Sequence, residues 1–276
     1  MGHKSMWEPG EPGIPADLRP DIPHPARMYD YYLGGKDNFP ADRAAAEKAL
    51  AANPEFRSTA RANRGFLTRA VRCVADLGID QFLDIGTGIP TAGNTHEIAR
   101  AASPGTRVVY VDNDPIVLSH ARALMSGAGP GRTAVLRADL REPSAVLAVV
   151  EAEGLLDFSR PIGLVLAAVL HFLRDEDKPH QAVGTLLDAL PSGSHLVLSH
   201  GTADFISAEI RDRVTGIYDK AAAPLVGRTR DEVRTFFDGL DILDPGVTTV
   251  PLWRPDTTPA PGADRVSMYG AVGRKP

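Results

Sequence analysis

The chain has 276 residues, 43 % apolar and 24 % charged, enough to bury the core of one large domain without needing a second. A formal net charge of -5 disfavours nonspecific attraction to nucleic acid or anionic lipid, and no apolar run is long enough to span a membrane. The single cysteine, Cys73, excludes an intrachain disulfide, a cysteine-based zinc cluster and a CxxC redox pair.

Residues 1–25 contain Pro9, Pro12, Pro15, Pro20, Pro23 and Pro25, which predicts an extended, flexible arm. Residues 26–78 are expected to form an N-terminal helical extension. It opens on Tyr29, Tyr31, Tyr32 and Phe39, grouped around Gly34-Gly35 and Asn38. A helix over Ala41–Ala51 follows, and Asn53-Pro54 reads as the N-cap and first-turn proline of the next. Phe66, Leu67, Ala70, Val71, Val74 and Leu77 recur at helical spacing, Cys73 sits inertly among them, and Gly78 stands where a helix would end.

From residue 79 strands and helices alternate. The strands are expected at Gln81–Ile85, Arg107–Val111, Thr133–Arg137, Ile162–Val169 and His195–Leu198. The helices are expected at Asn94–Ala102, Pro115–Met125, Ser144–Glu151 and Pro179–Leu190. Right-handed crossovers between such units give a doubly wound, mostly parallel sheet. A helix near Arg230–Phe237, then Val247–Val250 and Val266–Val272, reads as an antiparallel ending to that sheet. Residues 79–276 thus form the ligand-binding domain.

Ligands in an open α/β sheet bind beyond the carboxyl ends of the strands. The first strand ends in Asp84-Ile85-Gly86-Thr87-Gly88, a turn in which missing Cβ atoms let the backbone approach a ligand. Thr91 stands where a dinucleotide fingerprint wants glycine, and Pro90 and Gly93 delay the helix, so a pyrophosphate is disfavoured. The second strand ends in Asp112-Asn113, with Asp112 placed to accept from a ribose diol and Asp114 reading as a helix cap. The third ends in Asp139-Leu140, where a carboxylate can accept from an adenine amino group. Glycines, Asp112 and Asp139 at successive strand ends jointly select an adenosine-containing ligand.

These segments resemble class I S-adenosylmethionine-dependent methyltransferases. Asp84 to Gly88 is similar to their first motif, Asp112 to their ribose-binding acid and Asp139-Leu140 to their adenine-contact pair. Leu170-His171-Phe172-Leu173 and Leu190-Pro191-Ser192-Gly193 resemble the LHH…LxPGG stretch of small-molecule methyltransferases. Phe172 and Ser194 depart from it. The opening Ala26-Arg27-Met28-Tyr29-Asp30-Tyr31-Tyr32-Leu33-Gly34-Gly35-Lys36-Asp37-Asn38-Phe39 resembles the signature of a bacterial methyltransferase-like family long catalogued as a domain of unknown function. Arg61-Ala62-Asn63-Arg64, Asp244-Pro245-Gly246 and Trp253-Arg254-Pro255 fit the same family.

The resemblance implies a Rossmann-like, seven-stranded, mostly parallel sheet and S-adenosylmethionine as cofactor. The expected cofactor-binding residues are Arg64, Asp84, Gly86, Thr87, Gly88, Asp112, Asn113, Asp139 and Leu140, with Arg64 or Arg61 on the methionine carboxylate. A sulfonium donor is already activated, so the enzyme chiefly orients the acceptor, and a base is needed only where a proton must leave. His171, after the fourth strand, is the candidate base, against a structural reading as a loop histidine; His200 is weaker and His96 has no role. Tyr29, Tyr32 and Asn38 are expected to form a lid over the cofactor, since aromatic faces suit a sulfonium. Asp175, Glu176 and Asp177 read as acids at a helix start, so no metal is expected.

The expected partner is a small-molecule methyl acceptor, reacting through oxygen or nitrogen. The Asn/Asp-Pro-Pro-aromatic motif of nucleic-acid amino-methyltransferases is missing, with Ala167-Ala168-Val169-Leu170 in its place, so no nucleic acid is expected. A cytoplasmic protein is expected. A cofactor-binding sensor without turnover is the alternative, and a nicotinamide oxidoreductase ranks third.

Overall fold

The computed structural model describes residues 19–125 and 131–276. Most of the proline-rich arm therefore lies outside the described residues; its end runs into α1 (Pro25–Leu33), where Pro25 occupies the first turn. His24 caps α1 and Gly34, at φ 87°, ends it. Then come α2 (Pro40–Ala52) and α3 (Phe56–Asp76). Asn53 is the C-cap of α2 rather than the N-cap of α3. Its Oδ1 accepts from the Glu55 N–H at 3.1 Å, which spends the side chain on the turn between the helices.

The alternating region follows expectation closely. It contains β1 (Gln81–Ile85), α4 (Thr95–Ala102), β2 (Arg107–Asp112), α5 (Pro115–Met125), β3 (Thr133–Arg137), α6 (Pro143–Ala152), β4 (Gly163–Ala167), α7 (Pro179–Ala189) and β5 (His195–Gly201). The rest holds α8 (Ala208–Tyr218), α9 (Arg230–Thr235), β6 (Asp241–Ile242), β7 (Thr248–Thr249) and β8 (Met268–Arg274). The sheet runs β3-β2-β1-β4-β5-β8-β6, with β7 also on β8. Pairings from β3 to β5 are parallel, and those of β8 with β5, β6 and β7 are antiparallel. β7 and β8 fall on the expected Val247–Val250 and Val266–Val272, and one further short piece, β6, raises the strand count from the expected seven to eight.

Period-two alternation sends each strand's side chains to two cores. Leu83, Val109, Val111, Leu164 and Leu196 face one core, with α6, α7 and α9; Phe82, Val108, Tyr110, Val165 and Val197 face the other, with α3. A third core holds Met28 and Tyr32 of α1, four alanines of α2, and Val214 and Tyr218 of α8. Small residues along α2 (Ala45, Ala46, Ala49, Ala52) let its neighbours approach closely. The connection reverses direction between β1 and β4, so a crevice opens at their carboxyl ends, beneath α1 and α3.

Candidate active site

A cavity of 190 Å³ lies at that crevice and is lined from every strand end the sequence had singled out. Gly86 has φ 76° and Gly88 φ 65°, which glycine adopts without a Cβ penalty. At Gly86 a Cβ would lie 2.3 Å from a Val169 methyl. Val169 comes so close because Ala168, at the end of β4, is itself left-handed, at φ 57°. Ala168 is held there by its N–H, 3.0 Å from the Ser199 Oγ. A non-glycine residue in this region costs on the order of 1 kcal/mol, and such strain gathers at functional sites.

Asp84 and Asp112 are buried on neighbouring strands. Asp84 Oδ2 accepts from the Thr95 hydroxyl at 2.6 Å. Asp112 accepts from the Gly88 N–H and the Asp114 N–H, both at 2.9 Å, and so fixes the glycine turn. Burial raises both carboxyls to about 6. Asp139 stands at the end of β3 beside Asn113, whose Nδ2 lies 3.3 Å from it. Burial pushes the Asp139 carboxyl up, but hydrogen bonds from Arg141 outweigh this and hold it below its ordinary value. Arg141, which the sequence did not mark, donates its Nε to Asp139 at 3.0 Å and lines the cavity. Leu140 is buried in the core and also lines the cavity.

Arg64 reaches across from α3 and donates to the Gly93 and Ala92 carbonyls, at 2.6 and 3.2 Å, pinning the loop after the glycine turn. Arg61 is exposed and does not line the cavity. Thr87 supports the turn, its Oγ1 lying 3.3 Å from the Asp84 carbonyl. Asp114 Oδ1 accepts from the Ile116 N–H at 2.9 Å, as a residue preceding a helix does, and its Oδ2 faces His24 and Arg27. That ion cluster ties α1 to the end of β2.

Tyr29 covers the cavity from α1. Its hydroxyl donates to the Ala60 carbonyl and accepts from Asn63 Nδ2, both at 3.0 Å, while Ser199 donates to Asn63 Oδ1 at 2.6 Å. Asn38 departs from the expected lid: its amide donates to Asp30 at 2.7 Å and its carbonyls accept from Arg43, so it builds the turn after α1 and lines neither cavity described here. Tyr32 lines a second, smaller cavity of 100 Å³ and pairs its hydroxyl with that of Tyr218 at 3.1 Å. The two cavities share Pro25, Tyr29 and Phe172.

His171 lines the second cavity, and its bonding does not suit a base. Nδ1 accepts from the Gly201 N–H at 3.0 Å, so the neutral ring carries its proton on Nε2. Burial, aided by the Arg228 charge, pushes the group down to about 3. His200 is held between the Gly201 carbonyl and Arg228, at 2.7 and 2.9 Å, and is spent structurally. His96 pairs with the Tyr110 hydroxyl at 2.8 Å. Asp175 binds the buried Arg228 at 2.6 Å and Asp177 caps Arg174 at 2.8 Å. Among the described residues no acidic or histidine cluster could hold a metal, and no helix is long and apolar enough to cross a membrane.

With this geometry in view, a family model described as S-adenosyl methyltransferase matches residues 13–276. The chain belongs to the S-adenosyl methyltransferase family. It is therefore an S-adenosylmethionine-dependent methyltransferase. A DUF574 family protein of Streptomyces avermitilis superposes with TM-score 0.88 at 45 % identity, over 93 % of this chain and 98 % of that one. A candidate methyltransferase of Thermobifida fusca gives TM-score 0.85 at 39 % identity, over 92 % and 95 %. No curated protein matches the methyltransferase.

The cavity fits an adenosyl cofactor on its own terms. Its polar groups run in one line along the sheet, from Asp139 and Arg141, through Asp112, to Asp84 and Arg64, and the glycine turn leaves room that a Cβ at residue 86 would fill. The sequence missed Thr95, Arg141, Val169 and Phe172, since nothing in their local pattern says which chain they face.

Proposed function

We propose that this methyltransferase transfers its methyl group to an oxygen or nitrogen atom of a small molecule seated in the second cavity. The observation that carries this reading is the wall common to the two cavities, formed by Pro25, Tyr29 and Phe172. A cofactor laid along the strand ends would bring its reactive end toward these shared residues, and an acceptor in the second cavity would approach it from their other side. When bound, S-adenosylmethionine supplies an activated methyl carbon on a sulfonium.

The chain's residues do the rest by orientation. Asp112 is proposed to accept from the ribose diol, with Asn113, Asp139 and Leu140 around the adenine. Asp84 and Arg64 carry opposite charges at the other end of the cavity, matching the ammonium and carboxylate of the amino-acid moiety. Gly86, Thr87 and Gly88 shape the floor, and the ring of Tyr29, which lines the same cavity, would offer an aromatic face to the sulfonium. His171 is proposed to donate from Nε2 to the acceptor rather than to abstract its proton.

Calorimetric titration with S-adenosylhomocysteine, repeated on Asp112→Ala, tests the cofactor half of this proposal. The expected result is a loss of about 100-fold in affinity, as for removing a charged hydrogen-bonding group. Unchanged affinity in the variant would refute the assignment of Asp112.

A further inference from the structure

The second cavity has a defined chemistry. Its aromatic side chains lie as plates: Tyr32 stacks on Phe56 at 5.2 Å and 22°, and Phe172 on Tyr218 at 6.2 Å and 25°. Near-parallel plates favour a flat ring over a branched or extended aliphatic chain, because a ring keeps dispersion contact across a whole face. No carboxylate stands among the described residues that line it. The ionic group in the lining is Arg211, at the exposed rim and 3.1 Å from Asp212. An ammonium entering here would lose hydration with no anion to receive it.

Two polar groups of the lining, the Ser267 Oγ and one nitrogen of His171, lack a protein partner. His171 is buried, with Nδ1 occupied by the Gly201 N–H and Nε2 without a protein partner. The neighbouring hydroxyls of Tyr29 and Tyr32 are engaged with Ala60, Asn63 and Tyr218. Of the two unpartnered groups, the His171 N–H has a fixed direction, on a ring that the Gly201 N–H and the Phe172 ring, 4.3 Å away, hold in place, whereas the Ser267 hydroxyl can rotate.

We infer that the acceptor is a planar, largely apolar hydroxyl compound of the phenol or enol class, bound in the second cavity with its oxygen accepting a hydrogen bond from His171 Nε2–H. This rests on the proposed placement of the acceptor beside the cofactor. As the methyl group is transferred, the acceptor's O–H bond breaks and its proton passes to solvent. One oxygen lone pair forms the new O–C bond to the methyl carbon, while the C–S bond breaks and its electron pair stays on sulfur. A methyl ether and a neutral thioether result, so no protein base is consumed. His171 lowers the acidity barrier of the hydroxyl without changing its own protonation state.

The test uses full-length protein saturated with S-adenosylhomocysteine, titrated with phenol, 2-naphthol and a three-ring hydroxyflavone, and with 2-(aminomethyl)naphthalene as the cationic counterpart. At least one hydroxyl compound is expected to bind about tenfold or more tighter than the ammonium, as when a buried charge lacks a partner. Absorbance of bound 2-naphthol should show its ionisation moved down by about one unit, the effect of one charge-assisted hydrogen bond. His171→Gln, which keeps an N–H at similar reach, should retain part of that shift, and His171→Leu should lose it. Thr215→Trp, on the cavity side of α8, should block the hydroxyl compounds while leaving S-adenosylhomocysteine affinity unchanged, and serves if the His171 variants do not fold. Preference for the ammonium, persistence of the shift in His171→Leu, or cofactor binding with no hydroxyl compound bound would each overturn the inference. Failure of S-adenosylhomocysteine to bind the unaltered protein would instead sink the reading beneath it.

Discussion

Asp84 and Asp112 are buried carboxylates whose charged forms the ligand-free fold disfavours. Their folded values near 6 lie above the ordinary 3.8, so between these limits the folded protein carries more protons than the unfolded chain. Stability of the ligand-free protein therefore falls as pH rises from about 4 to 6, and the cost is fully present above that. Asp84→Asn removes the charge and keeps an oxygen for the Thr95 hydroxyl. It should stabilise the ligand-free protein by about 1–2 kcal/mol at pH 7.5 and by much less at pH 4, read as thermal midpoints. The same variant should bind S-adenosylhomocysteine more weakly. In the unaltered protein, that affinity should fall as pH drops through 6. A variant no more stable at pH 7.5 than its parent would show that the Asp84 charge is compensated in the folded state. These carboxylates were legible in the sequence because a strand end followed by glycine or Asx is a local pattern. Arg141 was not, since its pairing with Asp139 depends on where the chain turns after β3.

At the scale of elements, the turn from β1 into α4 and the bend after β4 are matched parts. Ala168 in the left-handed region carries Val169 over Gly86, and the absence of a Cβ at residue 86 is what admits it. Gly86→Ala adds both a clash with Val169 and a left-handed Cβ penalty, so it should destabilise the fold by about 1–3 kcal/mol and weaken cofactor binding at least about tenfold. Calorimetry and thermal unfolding check both effects, and a variant of unchanged affinity would mean the turn can relax without moving Asp84. The helix α8 escaped the sequence reading despite its Ser207 N-cap, whose Oγ accepts from the Ile210 N–H at 3.3 Å. Its apolar residues, Ile210, Val214, Ile217 and Tyr218, are diluted by charged neighbours, and they acquire meaning when α1 and α2 supply the opposite face. The aromatic opening segment posed the reverse problem. Its residues stood out, but whether Asn38 closed a site or a turn depended on Asp30 and Arg43 lying beside it.

Across the whole molecule, the N-terminal extension walls the first cavity. His24, Pro25, Ala26 and Tyr29 line it, and the cluster of His24, Arg27, Asp42 and Asp114 joins the extension to the second strand. Deleting residues 1–40 should therefore lower S-adenosylhomocysteine affinity by about tenfold or more and expose Tyr218 and Ala49, lowering the thermal midpoint by several degrees. A truncated protein with full affinity and unchanged melting would show that α1 is dispensable to the site. The order of strands and helices from β1 to β5, the strand-end carboxylates and the glycine turn were determined by the sequence alone, because hydrophobic period and turn chemistry are properties of neighbouring residues. Tertiary structure alone decided the second cavity, the tautomer of His171, and the wall shared by Pro25, Tyr29 and Phe172. Each of these depends on groups far apart in the chain meeting at one point, and which ring nitrogen keeps its proton is settled by a backbone N–H thirty residues away.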